Sequence, residues 1–133
     1  MKRWLLDTSA LLTLRDDEAG ADRVATMLRQ AQAGRAVCHG CFMSLMEVYY
    51  RVWKDEGDVA GRLAYEQCRS LPMEWTHESA ELLEAAAAIK ARHSLSLADA
   101  WIAAAALLAG ATLVHKDPEF AVLDLPRDVL PLK

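Results

Sequence analysis

The sequence predicts an α/β domain in which a parallel central sheet of four to five strands is flanked by helices. Short apolar runs alternate with longer stretches of helical periodicity along the whole chain, and glycine or proline (Gly34, Gly57, Pro72, Gly110) punctuates the helical stretches. That alternation is the pattern of βαβ units, whose right-handed crossovers give a parallel sheet covered on both faces. At 133 residues the chain fits one domain, spanning residues 1–133, with room for a core but not for a second domain.

Taken in order, Trp4-Leu5-Leu6 reads as a buried strand, and a helix opens near Thr8. A second helix covers Ala19 to Ala33, with Val24, Met27, Leu28 and Ala31 on one face and Gly34 just past its end. Ala36-Val37-Cys38 is the second strand. A long apolar helix follows from Met43 to Glu56 and stops at Gly57; another runs from Val59 to Leu71 and closes at Pro72. Met73-Glu74-Trp75 is a weak strand candidate. Ser79 to Arg92 is helical through its alanine run, and Ser96 to Ala109 is a further apolar helix ending at Gly110. Thr112-Leu113-Val114 is a β-branched strand, Pro118 to Val122 a short helix, and Val129-Leu130 the last strand.

Composition excludes several classes. With 53% hydrophobic and 26% charged residues the chain is not disordered. No apolar run reaches the roughly 18 residues of a membrane span. The basic-then-apolar opening is cut short by Asp7, too early for a signal peptide, so a cytoplasmic protein is expected. Three cysteines (Cys38, Cys41, Cys68) are too few for a disulfide framework. Cys38-His39-Gly40-Cys41 has C-x-x-C spacing, but no second ligand pair for zinc follows and the fit to a redox pair is partial, which favours ordinary buried thiols. The net charge of −4 is no footprint of nucleic-acid binding. Setting four candidate site acids aside leaves the remainder neutral, and a bound divalent ion inverts the local sign where phosphate must approach.

Those four acids are Asp7, Glu47, Asp99 and Asp117. Each has a structural explanation when taken alone. Asp7 and Asp117 sit where helix N-caps sit, the latter before Pro118. Ser96-Leu97-Ala98-Asp99 matches a capping box, and Glu47 precedes Arg51 by four residues, as helix ion pairs do. The surroundings point further. Glu47 and Asp99 lie on helices with little other polarity, and no lysine or arginine falls within four residues of Asp99. Buried charges are paired or coordinate metals. Asp7 follows the first strand and Asp117 follows the Thr112–Val114 strand, so both belong at the carboxyl edge of the sheet, where open α/β sheets bind ligands. Convergent oxygen ligands suit Mg²⁺ or Mn²⁺ rather than zinc, and such a site supports phosphodiester hydrolysis.

The residues that carry these acids resemble a known family. Leu5-Leu6-Asp7-Thr8-Ser9-Ala10, Ser44-Leu45-Met46-Glu47-Val48, Leu95-Ser96-Leu97-Ala98-Asp99-Ala100, and Gly110-Ala111-Thr112-Leu113-Val114 running to Asp117 and Phe120 are similar to the PIN-domain nucleases, and in size and motif order to the VapC-type toxins of toxin–antitoxin pairs. The resemblance spans essentially the whole chain. It implies a single PIN-like domain acting as an Mg²⁺- or Mn²⁺-dependent endoribonuclease, with Asp7 and Asp99 as the most direct metal ligands. Glu47 and Asp117 match positions that act through water or complete a second metal site. Ser9 matches a small hydroxyl residue near the metal. It also implies an RNA substrate and a small antitoxin partner. One departure is His115, where the family commonly has Thr or Ser two residues before the last acid; His115 and the neighbouring Lys116 are candidate substrate contacts.

The helix carrying Met43, Met46, Tyr49, Tyr50 and Trp53 is more apolar than one buried face requires, which reads as a surface for a homodimer or for the antitoxin. Trp53, Trp75 and Trp101 read as core or interface residues rather than base-stacking platforms. Two other functional classes compete. A PIN-like domain could serve as a catalytically silent RNA-binding or regulatory module, although all four acids are present. A phosphoryl-transfer domain using Asp7 as nucleophile would need a second acid two residues on, where Ser9 stands.

Overall fold

A computed structural model of the chain describes residues 1–116 and 118–132. Five strands form one sheet in the order β3-β2-β1-β4-β5, and every neighbouring pair is parallel. The strands are β1 (Lys2–Leu6), β2 (Ala36–Cys41), β3 (Glu74–Thr76), β4 (Thr112–His115) and β5 (Arg127–Val129). Between β1 and β2 lie α1 (Thr8–Arg15) and α2 (Ala21–Gln32); between β2 and β3, α3 (Phe42–Glu56) and α4 (Asp58–Arg69); between β3 and β4, α5 (Ala80–Arg92) and α6 (Leu97–Ala109). A 3-10 helix, Pro118–Val122, precedes β5.

Strand alternation sorts the core into two layers. Leu5 and Leu113 face α5 and α6, packing with Leu82, Ile102 and Phe120. Leu6 and Val114 face the other way, onto Leu11, Val24, Leu28, Val48 and Val52 from α1, α2 and α3. Ala103, Ala104, Ala105 and Ala106 are buried side by side, and side chains this small let α6 sit close against the sheet. Gly110, with φ 61°, closes α6 in the left-handed conformation expected of a C-cap glycine.

Several boundaries differ from the sequence reading, each for a physical reason. β1 begins at Lys2 because backbone pairing with Ala36 and Val37 makes no demand on the exposed Lys2 and Arg3 side chains. β2 continues through His39 and Gly40, residues of low strand propensity, because Trp75 on β3 packs over Gly40: a Cβ there would lie 2.4 Å from the indole ring. Gly20 holds φ 101° at the N-cap of α2, so that helix starts at Ala21 rather than Ala19. The last strand is Arg127–Val129, with Leu130 bonded through its N–H to the His115 carbonyl just beyond.

The C-x-x-C pair is resolved by the same alternation. Cys38 belongs to the α1–α4 side of the core and Cys41 to the α5–α6 side, so the two thiols lie on opposite faces of β2. All three cysteines are free and buried. Among the described residues, no helix is long and apolar enough to cross a membrane.

Candidate active site

The strand order reverses between β1 and β4, and the crevice beyond their carboxyl ends is where this topology places a ligand. Asp7 stands at that point. Its backbone N–H donates to the Val114 carbonyl at 3.1 Å, which extends the β1–β4 ladder by one rung and fixes the residue against β4. Its carboxylate caps α1, accepting from the Ala10 N–H at 2.8 Å and from the Ser9 hydroxyl at 2.7 Å. Ser9 Oγ in turn accepts the Lys116 N–H at 3.1 Å, so one hydroxyl ties the end of β1 to the end of β4. Ser9 is thereby a brace for the Asp7 carboxylate.

Glu47 is delivered from α3. It is buried, and Thr8 on α1 donates its hydroxyl to Glu47 Oε1 at 2.6 Å while contacting Ser44 Oγ at 2.9 Å. The other carboxylate oxygen faces Arg51, whose Nη2 lies 3.4 Å away, the helix pair anticipated from the spacing. Asp99 comes from the first turn of α6, where the Ser96 side chain caps the helix by accepting the Asp99 N–H at 3.1 Å. The capping reading of Ser96 holds, yet the Asp99 carboxyl has a second life. Burial pushes its pKa up to about 7, and a shared hydrogen bond with Glu119, the Glu119 charge and the more distant Glu47 charge add to the rise, against a smaller lowering by Ser96.

Glu119 is the site residue that sequence reasoning missed. It stands in Asp117-Pro118-Glu119-Phe120, two residues after the acid that was singled out, and Phe120 is fully buried. That buried anchor was the available signal, because it fixes the 3-10 helix and so the direction of its polar neighbours. Thr8 was also missed, its role disguised by the helix start. Asp117 lies outside the described residues.

His115 and Lys116 take up positions different from simple substrate contacts. The His115 ring is fully buried and meets Phe120 edge-on at 5.1 Å, with no surface open to solvent. The Lys116 side chain is only 13% exposed, with Nζ 3.5 Å from Glu18 Oε1. Arg51 keeps its charge firmly: burial works against it, but a hydrogen bond with Tyr50 and the charges of Glu47 and Asp99 outweigh that and raise its pKa.

Asp99 of α6 and Glu119 of the 3-10 helix thus share a hydrogen bond, with the Glu47 charge from α3 felt at Asp99, while Asp7 stands at the end of β1. Among the described residues no three acidic, histidine or cysteine side chains stand close enough together to share one ion in this arrangement. The chemistry of the donor set is nonetheless of one kind. It is oxygen only and partly desolvated, with the Arg51 guanidinium beside Glu47, which suits a hard divalent cation.

A family model for the PIN domain matches residues 4–125, a span that contains every candidate site residue. Similar folds are found in VapBC2 from Rickettsia felis bound to a DNA fragment from its promoter (TM-score 0.78, 18% identity, 97% of this chain and 99% of that one). DNA-bound VapBC from Salmonella typhimurium gives a TM-score of 0.75 at 18% identity, over 97% and 98% of the two chains. Mycobacterium tuberculosis VapC20, a sarcin-ricin loop cleaving toxin, gives 0.69 at 20% identity, over 96% and 98%. No curated protein matches the sequence. The family match covers most of the length and the topology agrees with it throughout: the chain belongs to the PIN-domain family.

Proposed function

We propose that this protein is an Mg²⁺- or Mn²⁺-dependent endoribonuclease, the toxin of a toxin–antitoxin pair, which hydrolyses RNA phosphodiester bonds at an acidic site formed by Asp7, Glu47, Asp99 and Asp117. The observation that carries this reading is Asp99: a carboxyl on an otherwise apolar helix that meets a second carboxyl, Glu119, its pKa raised to about 7 by burial first and by Glu119 next. Helix capping alone gives no reason for a second acid, Glu119, to share a hydrogen bond with it.

Asp7 and Asp99 would hold the ion most directly, with Glu47 and Asp117 completing the site. A bound divalent ion supplies charge to the phosphate and lowers the pKa of the attacking water. The chain's own residues supply the order. Ser9 and the Ala10 N–H aim the Asp7 carboxylate, and Thr8 aims that of Glu47. Asp99 shares a hydrogen bond with Glu119 and would have to be deprotonated to hold the ion. The apolar cover of α3 and α6 excludes bulk water from the backs of these acids and strengthens every charge interaction among them.

The proposed partners are RNA, a small antitoxin and a second copy of the chain, all within the cytoplasm. Support for protein partners comes from the exposed apolar residues of α3 and α4, namely Met46, Tyr50, Trp53, Val59 and Leu63, and from the VapBC complexes that share the fold. Induced expression of the wild type against Asp7→Asn tests the reading. Growth arrest with RNA cleavage in the wild type alone is expected; arrest by both proteins, or cleavage by neither, would overturn it.

A further inference from the structure

A cluster of carboxylates repels the phosphate it is meant to act on, so the approach of RNA depends on the cations beside it. Two of these are already engaged. Lys116 is mostly buried and turned to Glu18. Arg15 makes paired bonds to Glu56 at 2.9 and 3.0 Å and a third to Asp16 at 2.9 Å. Arg51 differs. It has one long ion-pair contact among the described residues, 3.4 Å to Glu47, and a hydrogen bond with Tyr50, while its side chain is 45% exposed. A guanidinium has five donors, so most of its capacity is left for another acceptor.

Arg51 also lines a polar cavity of about 410 Å³ between α1 and the second half of α3, within the size range of ligand clefts. Tyr50 and Lys54 line the same cavity, and Lys54 has no ion pair among the described residues. Arg51 and Lys54 are three residues apart on α3, so they are neighbours on the helix surface. Arg51 therefore stands at a boundary, with Glu47 on one side and, on the other, a cavity lined by Arg15, Tyr50, Lys54 and three acids, Asp16, Asp55 and Glu56, of which Asp16 and Glu56 are paired with Arg15.

We propose that Arg51 grips the RNA phosphate next to the bond that is cut. This rests on the ribonuclease reading above. The planar fork of arginine binds phosphate through two parallel N–H bonds, a geometry that lysine lacks. Exchanging the 3.4 Å contact with Glu47 for such a pair gives up little, since Glu47 stays held by Thr8 at its other oxygen and donors remain for Tyr50. Arg51 is a binding and positioning residue in this scheme: it fixes where the strand lies and carries no sequence information.

The test compares wild type, Arg51→Gln, Arg51→Lys and Arg35→Gln. Arg35 precedes β2 at the amino edge of the sheet, opposite the site. Binding of a fluorescent single-stranded RNA is measured by anisotropy across a salt series, with cleavage kinetics in Mn²⁺ and a thermal melt of each variant. Arg51→Gln is expected to weaken binding about tenfold or more and to reduce the magnitude of the salt slope by about 0.7, one phosphate contact. KM should rise more than kcat falls, Arg51→Lys should restore the slope but only part of the affinity, and Arg35→Gln should match wild type. An Arg51→Gln variant with unchanged affinity and slope would overturn the assignment. So would one that melts earlier without a change in slope, since Arg51 would then only brace Glu47. Wild-type protein that neither binds nor cleaves RNA would overturn the ribonuclease reading itself, a result distinct from either.

Discussion

Replacing Asp99 by Asn should stabilise the metal-free protein while abolishing cleavage. The carboxyl moves from an ordinary 3.8 to about 7 on folding, so its charged form is disfavoured in the native state. A displacement of that size corresponds to roughly 4 kcal/mol as a ceiling. The group is only partly buried, and solvent screening cuts the usable figure to about 1–2 kcal/mol. Loss of a negative charge from the first turn of α6 opposes it by about 0.3–1 kcal/mol. The sign follows from proton binding. Between pH 4 and 7 the native state holds more protons than the unfolded chain, so wild-type stability falls as pH rises through this window. Asn removes that loss. Thermal melts in EDTA should therefore show little difference near pH 4 and a variant Tm higher by roughly 2–6 °C at pH 8. With Mg²⁺ or Mn²⁺ the order should narrow or reverse, because only the wild type gains from binding the ion. A variant that melts earlier than wild type at pH 8 in EDTA would refute the reasoning and leave Asp99 as a helix-capping residue.

Thr8→Val keeps the shape of the side chain but removes the donor to Glu47; it should cost about 1–3 kcal/mol in denaturant unfolding and reduce cleavage, whereas a neutral effect on both would dissociate Thr8 from the site. Gly40→Ala places a methyl group 2.4 Å from the Trp75 ring and should destabilise by about 1–3 kcal/mol, with a perturbed Trp fluorescence spectrum as the local reporter. Burial raises the thiols of Cys38 and Cys41 to about 11 and that of Cys68 to about 12, so the folded protein should resist a thiol reagent at pH 8 and label only on unfolding; rapid labelling of the native state would contradict the packing.

Much of the fold was legible because its signals are local. The alternation of apolar runs with helical periods shows the βαβ plan, and Gly34, Gly57, Pro72 and Gly110 mark the helix ends within one to three residues. What escaped was set by neighbours distant in sequence. His39 and Gly40 join β2 by pairing with Glu74 and Trp75 of β3, whose indole covers Gly40, and Lys2 and Arg3 join β1 through pairing that leaves no trace in hydropathy. The same division runs through the site. Asp7, Glu47 and Asp99 stood out because carboxylates among apolar residues are costly. Glu119 did not, since an acid in a polar turn needs no explanation until the buried Phe120 beside it fixes its direction. His115 reads as a polar residue after a strand, yet pairing of β4 with β5 and the Phe120 ring enclose it completely.

The central claim is that these acids form a metal-dependent ribonuclease site. Its most direct test is RNA cleavage by purified wild type and Asp7→Asn, each shown to be folded by circular dichroism, with Mg²⁺ or Mn²⁺ and with excess EDTA. The account predicts internal cleavage by the wild type with either ion, none in EDTA, and none by Asp7→Asn under any condition. Undiminished cleavage in EDTA, or by the Asp7→Asn protein, would contradict it.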